Sequence, residues 1–212
     1  MHRVQVAAVI CLFGFVSNAQ AAECALPTGF VAAPRPSVEP IDRLVTHTEE
    51  IDIDRPLATV VELTNRTSLE HTIRKGSSLP GVAGTHDLSE ATFGTPGARR
   101  LVCLTDGSTT VEEVLEREQS ASSYHFRYVV WNYTSPQARP IAYGVGDFQF
   151  TQSVLGRTHI YWSYSFQLNR NRFPGYLGDL GNFFFRVGFL DRQYADLMRG
   201  VLQGYKAAAD AS

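Results

Sequence analysis

Hydrophobic and polar positions along the chain change period several times, and each change marks an element. Residues 44–53 read as extended, and Asp54 followed by Arg55 and Pro56 reads as a helix start, with a side-chain cap and a proline in the first turn. That helix is expected to run to about Leu63, with a second short helical piece over residues 68–74 ending near Gly76. Residues 79–168 are β-rich. Asp106-Gly107 lies between two extended runs and predicts a tight hairpin, because this pair tolerates positive φ. Counted as a two-residue loop, it sets Val102 opposite Val111 and Arg100 opposite Glu113, so that Ala98, Arg100, Val102, Val111, Glu113 and Leu115 share one face.

The next strand alternates cleanly. Tyr124, Phe126, Tyr128 and Val130 take one face while His125, Arg127 and Val129 take the other, and a turn at Ser120-Ala121 sets Tyr128 opposite Glu113 and Phe126 opposite Leu115. After a loop over residues 136–140, residues 141–153 and 158–168 predict a further hairpin around Gly156. On its second strand Ile160, Trp162, Tyr164 and Phe166 face together, opposite His159, Tyr161, Ser163 and Ser165. Finally, Phe183, Val187, Leu190, Tyr194, Leu197, Val201 and Tyr205 recur at three- and four-residue steps, the stripe of a long amphipathic helix that must pack on the sheet.

The first 21 residues fall outside this scheme. Arg3 precedes an apolar run from Val6 to Val16, and Ala19-Gln20-Ala21 offers small residues where a signal peptidase reads, so residues 1–21 are expected to be a cleaved signal peptide. The run is too short to span a bilayer, and no other segment predicts a transmembrane span. Export to the periplasm or medium follows. Residues 22–40, with Pro27, Pro34, Pro36 and Pro40, read as an extended tail or linker, and residues 41–209 as one domain. Beyond the leader only Cys24 and Cys103 remain; in an oxidising compartment they either pair, tying the tail to the body, or stay as two thiols.

Composition removes some functions. With 19 basic residues against 21 acidic in 212, binding of nucleic acid through its phosphates is not expected. The 13 Phe, 9 Tyr and 2 Trp are enough to line a large apolar interior. Motifs for a nucleophile elbow, a zinc protease, paired CxxC ligands and a phosphate loop are missing, and Gly144-Val-Gly146 lacks the third glycine of a dinucleotide fingerprint. His47, His71, His86, His125 and His159 are scattered without ligand spacing, so neither metal nor cofactor is expected. Asn65 and Asn132 begin glycosylation sequons, meaningful only in a host with that pathway. One polar constellation stands out on the inner face: Arg100, Glu113 and Tyr128. A charged pair against apolar surface either serves as a structural ion pair or positions a ligand.

The order of elements, with Ile51-Asp-Ile-Asp-Arg-Pro56, Leu79-Pro-Gly-Val82, Pro96-Gly-Ala-Arg-Arg100, Asp106-Gly107, Glu113 and Gly156-Arg-Thr158 leading to Trp162, resembles the SRPBCC superfamily. Within that START-like, birch-pollen-allergen-like superfamily it is similar to the polyketide cyclase and lipid-transport group. The resemblance implies an α+β helix-grip fold: a curved antiparallel sheet wrapped around a long C-terminal helix, with two short helices after the first strand. Two departures are a first helix without the frequent tryptophan and an aromatic, glycine-rich insertion over residues 169–189. It further implies a cavity for a hydrophobic small molecule or lipid, lined by Arg100, Val102, Val111, Glu113, Leu115, Phe126, Tyr128, Val130, Ile160, Trp162, Tyr164 and Phe166. The alternative is a cyclase- or hydratase-like enzyme with Glu113 as base and Arg100 or Tyr128 stabilising an oxyanion. The rings at Phe183, Phe184, Phe185 and Phe189 surround most of the helix, so residues 183–189 are a candidate contact for a membrane surface or a protein partner unless the preceding loop covers them.

Overall fold

A computed structural model describes residues 24–74, 79–153 and 156–211. The expected leader, and Gly76 at the expected end of the second helix, lie outside the described residues. Seven strands form one sheet: β1 Val45–Ile53, β2 Val82–Asp87, β3 Arg99–Leu104, β4 Thr109–Gln119, β5 Ser123–Trp131, β6 Ile141–Gln152 and β7 Thr158–Leu168. Their order is β1-β7-β6-β5-β4-β3-β2 and every neighbouring pair is antiparallel. Two short helices, α1 Leu57–Arg66 and α2 Leu69–Thr72, follow β1. The chain ends in a long helix built from α3 Asp179–Phe185, a π-helical stretch Arg186–Tyr194 and α4 Ala195–Asp210.

Helix α1 begins two residues later than expected. Pro56 occupies the cap position, where it has no N–H to leave unpaired, and no side chain of its own segment caps the helix. The Leu57 N–H instead donates to Gln152 Oε1 on β6, at 2.7 Å. Asp54, the expected cap, pairs with Arg157.

The β3–β4 hairpin corrects the predicted register. The Gly107 N–H donates to Leu104 O at 3.0 Å and Gly107 sits at φ 83°, a three-residue loop in which a turn is followed by a left-handed glycine. Arg100 therefore faces Glu112 rather than Glu113, and Arg99 takes Glu113. A one-residue slip sends a side chain to the opposite face of the sheet. Across β4 and β5, Glu112 faces Val130 and Val114 faces Tyr128; an irregularity between Val114 and Glu116 then puts Phe126 opposite Arg117 instead of Leu115.

Both faces of the sheet are covered. On the concave side Val130, Phe148, Phe150, Ile160, Trp162, Tyr164 and Phe166 pack with Leu57, Val60 and Val61 of α1 and with Phe185, Leu190, Met198, Val201 and Leu202 of the C-terminal helix. On the convex side Leu101, Val111, Val129, Trp131, Tyr143 and Val145 form a second core, closed by Phe30, Ala33 and Val38 from the N-terminal segment. Residues 24–40 are thus a strap rather than a free tail. A Cys24–Cys103 disulfide fastens one end. Trp131 Nε1 donates to Ala33 O at 3.0 Å, Arg35 pairs with Glu113 at 3.0 Å, and the Glu39 N–H donates to Tyr143 Oη at 2.9 Å.

The C-terminal stripe also needs correction at its start. Phe183 and Val187 are exposed, while Phe185, Leu190 and Ala195 are buried. Hydrogen bonds of π type close over five residues instead of four, so buried positions advance by five through Arg186–Tyr194. A pattern counted at 3.6 residues per turn loses phase there. Leu197, Val201 and Tyr205 pack against the concave core as the stripe requires.

Candidate functional site

Between the concave face and the helices lies a cavity of two neighbouring lobes, about 340 Å³ and about 440 Å³. Leu69 and Ile73 from the α2 region and Glu112 from β4 border both. The smaller lobe is walled by Phe93, Arg100, Tyr124, Phe126, Tyr128, Phe148, Phe150 and Tyr205, with Thr64 and Asn65 of α1 above. The larger is walled by Val82, Val102, Thr110, Val130, Tyr133, Ile141, Tyr164 and Phe166, and by Phe189, Tyr194 and Leu197 of the helix.

Of the residues expected to line a cavity, Arg100, Val102, Phe126, Tyr128, Val130, Tyr164 and Phe166 do so. Ile160 and Trp162 lie in the concave core behind the walls, Trp162 stacked on Phe148 with ring centres 4.4 Å apart. Val111 and Leu115 belong to the convex core. Glu113 also faces that side, between Arg99 and Arg35. Arg100, Glu113 and Tyr128 therefore do not converge, and Glu113 is not placed to act as a base in the cavity.

Glu112 takes the inward place. Its Oε2 accepts from Arg100 Nε at 2.8 Å and lies 2.7 Å from Nη2, and the guanidinium rests on the Phe93 ring, 3.6 Å from its centre. Phe148, Phe150, Tyr133 and Tyr194 were not singled out from the sequence as cavity residues. Phe148 and Phe150 carried a signal, alternating with Asp147 and Gln149. The two glycines set aside as a nucleotide motif turn out to shape the wall. A Cβ on Gly144 would stand 2.7 Å from the Tyr164 ring, and one on Gly146 would stand 2.3 Å from the Tyr128 ring. Tyrosines of β5 and β7 can lean over β6 only because these two positions are bare.

Burial is the main force on the ring hydroxyls. It pushes Tyr128, Tyr164 and Tyr194 well above the ordinary tyrosine value, with neighbouring hydroxyls and, for Tyr128 and Tyr194, the Glu112 carboxylate adding to the rise. Burial raises Tyr133 too, and lifts Tyr205 to about 12. These hydroxyls keep their protons near neutral pH and serve as hydrogen-bond donors. Among the described residues no group of three or more His, Cys, Asp or Glu is gathered to hold a metal.

No protein-family model matches the chain, and no curated protein does. Solved structures do. Ara h 8.0201 superposes with a TM-score of 0.55 at 15% identity, covering 79% of this chain and 98% of that one. The di-domain ARO/CYC StfQ from the steffimycin biosynthetic pathway gives 0.56 at 15%, covering 80% of this chain and 52% of StfQ. A START superfamily protein from Mycobacterium smegmatis gives 0.51 at 6%, covering 78% and 97%.

The chain has the helix-grip fold.

In this helix grip the inserted residues 169–189 add a surface. Tyr176, Leu180, Phe183, Phe184 and Val187 are exposed, the last four at helical spacing on the side of α3 opposite buried Gly181 and Phe185. The preceding loop does not cover them. Arg170, Arg172 and Arg186, in and just before this segment of the sequence, are exposed as well. Phe185 and Phe189 turn inward and meet Phe166 edge-on. Among the described residues no helix is long and apolar enough to cross a membrane.

Proposed function

We infer that the protein binds a hydrophobic small molecule or lipid in the cavity between the sheet and the C-terminal helix. The observation that carries this reading is the pair of adjoining lobes, walled by rings and aliphatic side chains and bordered by a single buried ion pair. Aromatic walls supply affinity, and the Arg100–Glu112 pair and the tyrosine hydroxyls orient the occupant. Purifying the protein, extracting it with organic solvent and identifying what co-purifies tests the reading. Recovery of a stoichiometric apolar compound is expected. If nothing co-purifies and a fluorescent hydrophobic probe gains no emission with the native protein, the reading is wrong.

The protein acts outside the cytoplasm. The Cys24–Cys103 disulfide supports this, since such bonds persist in oxidising compartments; recovery of the protein in reduced, leader-bearing form from the cytoplasm would refute it. An apolar ligand is exchanged with a lipid phase, and the exposed stripe on α3 with its flanking arginines suits peripheral contact with an anionic bilayer. Co-sedimentation with vesicles containing phosphatidylglycerol, weak with phosphatidylcholine alone and lost in Phe183→Ser/Phe184→Ser, is the expected result. Equal binding by the double variant would remove the stripe from the interaction.

A further inference from the structure

We propose that the hydroxyls of Tyr133, Tyr164 and Tyr194 form a donor site for a neutral oxygen acceptor, a carbonyl or ether oxygen, on an otherwise apolar occupant of the larger lobe. This deepens the ligand-binding reading above, rests on it, and names the chemical class of the ligand.

All three rings line that lobe, one from β7, one from the C-terminal helix and one from the segment after β5. Gly144 is what gathers them. A Cβ at that position would lie 2.9 Å from Tyr164 Oη and 3.0 Å from Tyr133 Oη, so both hydroxyls occupy space that any other residue would fill. The Tyr164 and Tyr194 rings lie 4.7 Å apart between centres, and their hydroxyls influence each other's ionisation. The Tyr133 hydroxyl is close enough to feel the Tyr164 hydroxyl, yet it is buried from solvent and makes no hydrogen bond among the described residues. A tyrosine hydroxyl carries one O–H to donate, so Tyr133 brings a buried donor that has no acceptor among the described residues. Buried polar groups are rarely left so unless something else comes to meet them.

The charge pattern selects what that is. Glu112 borders the same lobe, and its carboxylate is among the influences that raise Tyr133 and Tyr194. The same field repels an anion. Arg100, which would otherwise draw one in, is already bonded to Glu112. Val102, Val130, Phe166 and Leu197 leave apolar surface for the rest of the molecule.

The experiment measures binding of 2-nonanone, nonane and nonanoate at neutral pH, to the native protein and to Tyr133→Phe, by displacement of a fluorescent hydrophobic probe. The ketone is expected to bind about tenfold more tightly than nonane, the effect of satisfying one buried donor, and more tightly than nonanoate. In Tyr133→Phe the ketone preference falls to about twofold or less while nonane affinity is unchanged. Without ligand that variant unfolds at the same temperature as the native protein or higher, because it removes an unpartnered buried hydroxyl. Equal affinity for ketone and nonane, a preference that survives the substitution, tighter binding of nonanoate, or a lowered unfolding temperature overturns the donor site. If nonane binds without a ketone preference, the ligand-binding reading stands and only the donor site falls; if neither binds, both fall.

Discussion

Two adjacent glutamates on β4 should behave very differently when each is replaced by glutamine. Glu112 is held by Arg100 inside the cavity, with side-chain exposures of 10% and 18%. Removing one partner of a buried pair costs about 3–5 kcal/mol, because the other charge is left without compensation. Arg100 keeps its contact with the Phe93 ring, worth about 0.5–2 kcal/mol, so the net loss for Glu112→Gln is expected at about 2–3 kcal/mol. Glu113 is itself buried, but its partners Arg35 and Arg99 are 41% and 38% exposed and can turn to water. Exposed partners contribute about 0.2–1 kcal/mol each, so Glu113→Gln should lose about 1 kcal/mol. Urea unfolding followed by tryptophan emission separates these values, since about 2 kcal/mol is near 1 M in midpoint for an ordinary urea dependence. The double variant Arg100→Met/Glu112→Leu should recover most of the loss, as apolar replacement of a buried pair often does. If Glu113→Gln proves the more damaging of the two, the hairpin register described above cannot be right.

Three other outcomes follow from the same packing. Tyrosines raised above their unfolded value of about 10 stabilise the fold fully below that pH; for Tyr205, lifted to about 12, the contribution is lost as pH rises from 10 through 12. With Tyr128, Tyr133, Tyr164 and Tyr194 raised as well, ultraviolet titration should show a late, cooperative ionisation coincident with unfolding, and a smooth titration of every tyrosine near pH 10 would contradict the burial. Reducing Cys24–Cys103, 79 residues apart, should lower stability by about 2–4 kcal/mol through the freed loop, read as a drop in the urea midpoint; an unchanged midpoint would show that the strap contributes nothing. Gly146→Ala places a methyl group 2.3 Å from the Tyr128 ring and should cost about 1–3 kcal/mol and weaken probe binding in the cavity, whereas Gly156→Ala, at φ 74° in a turn that lines neither lobe, should lower stability through its backbone and spare binding.

Much of the architecture was legible because strand alternation is a robust signal. Tyr124 to Val130 and Ile160 to Phe166 were assigned to the face they occupy, since each strand carries its own period. What failed was the relation between strands. Register across β3 and β4 depends on whether Asp106-Gly107 forms a loop of two or three residues, a difference in one backbone angle that both sequences of torsions allow. That ambiguity moved Val111, Glu113 and Leu115 into the cavity and left out Glu112, whereas the irregularity after Val114 changed the partner of Phe126 but not its face. The π-helical stretch shifted the helical stripe for a related reason, an added residue per turn that leaves no mark on hydropathy. Residues 24–40 offered no period at all. Their docking was hinted by Val129, an apolar residue on the face that Tyr124, Phe126 and Tyr128 leave to solvent.

The strap has a consequence for how the molecule breathes. Between Cys24 and Glu39 it is attached to β3, β5, β4 and β6, through Cys103, Trp131, Glu113 and Tyr143, and it then runs on into β1. Sliding of one strand past the next would have to break these cross-ties as well as the ladder itself. The sheet is thereby stiffened into a backplate, and any widening that admits a guest is left to the opposite wall. There α2, a single turn long, buries none of its residues, and Leu69 and the adjoining Ile73 touch both lobes.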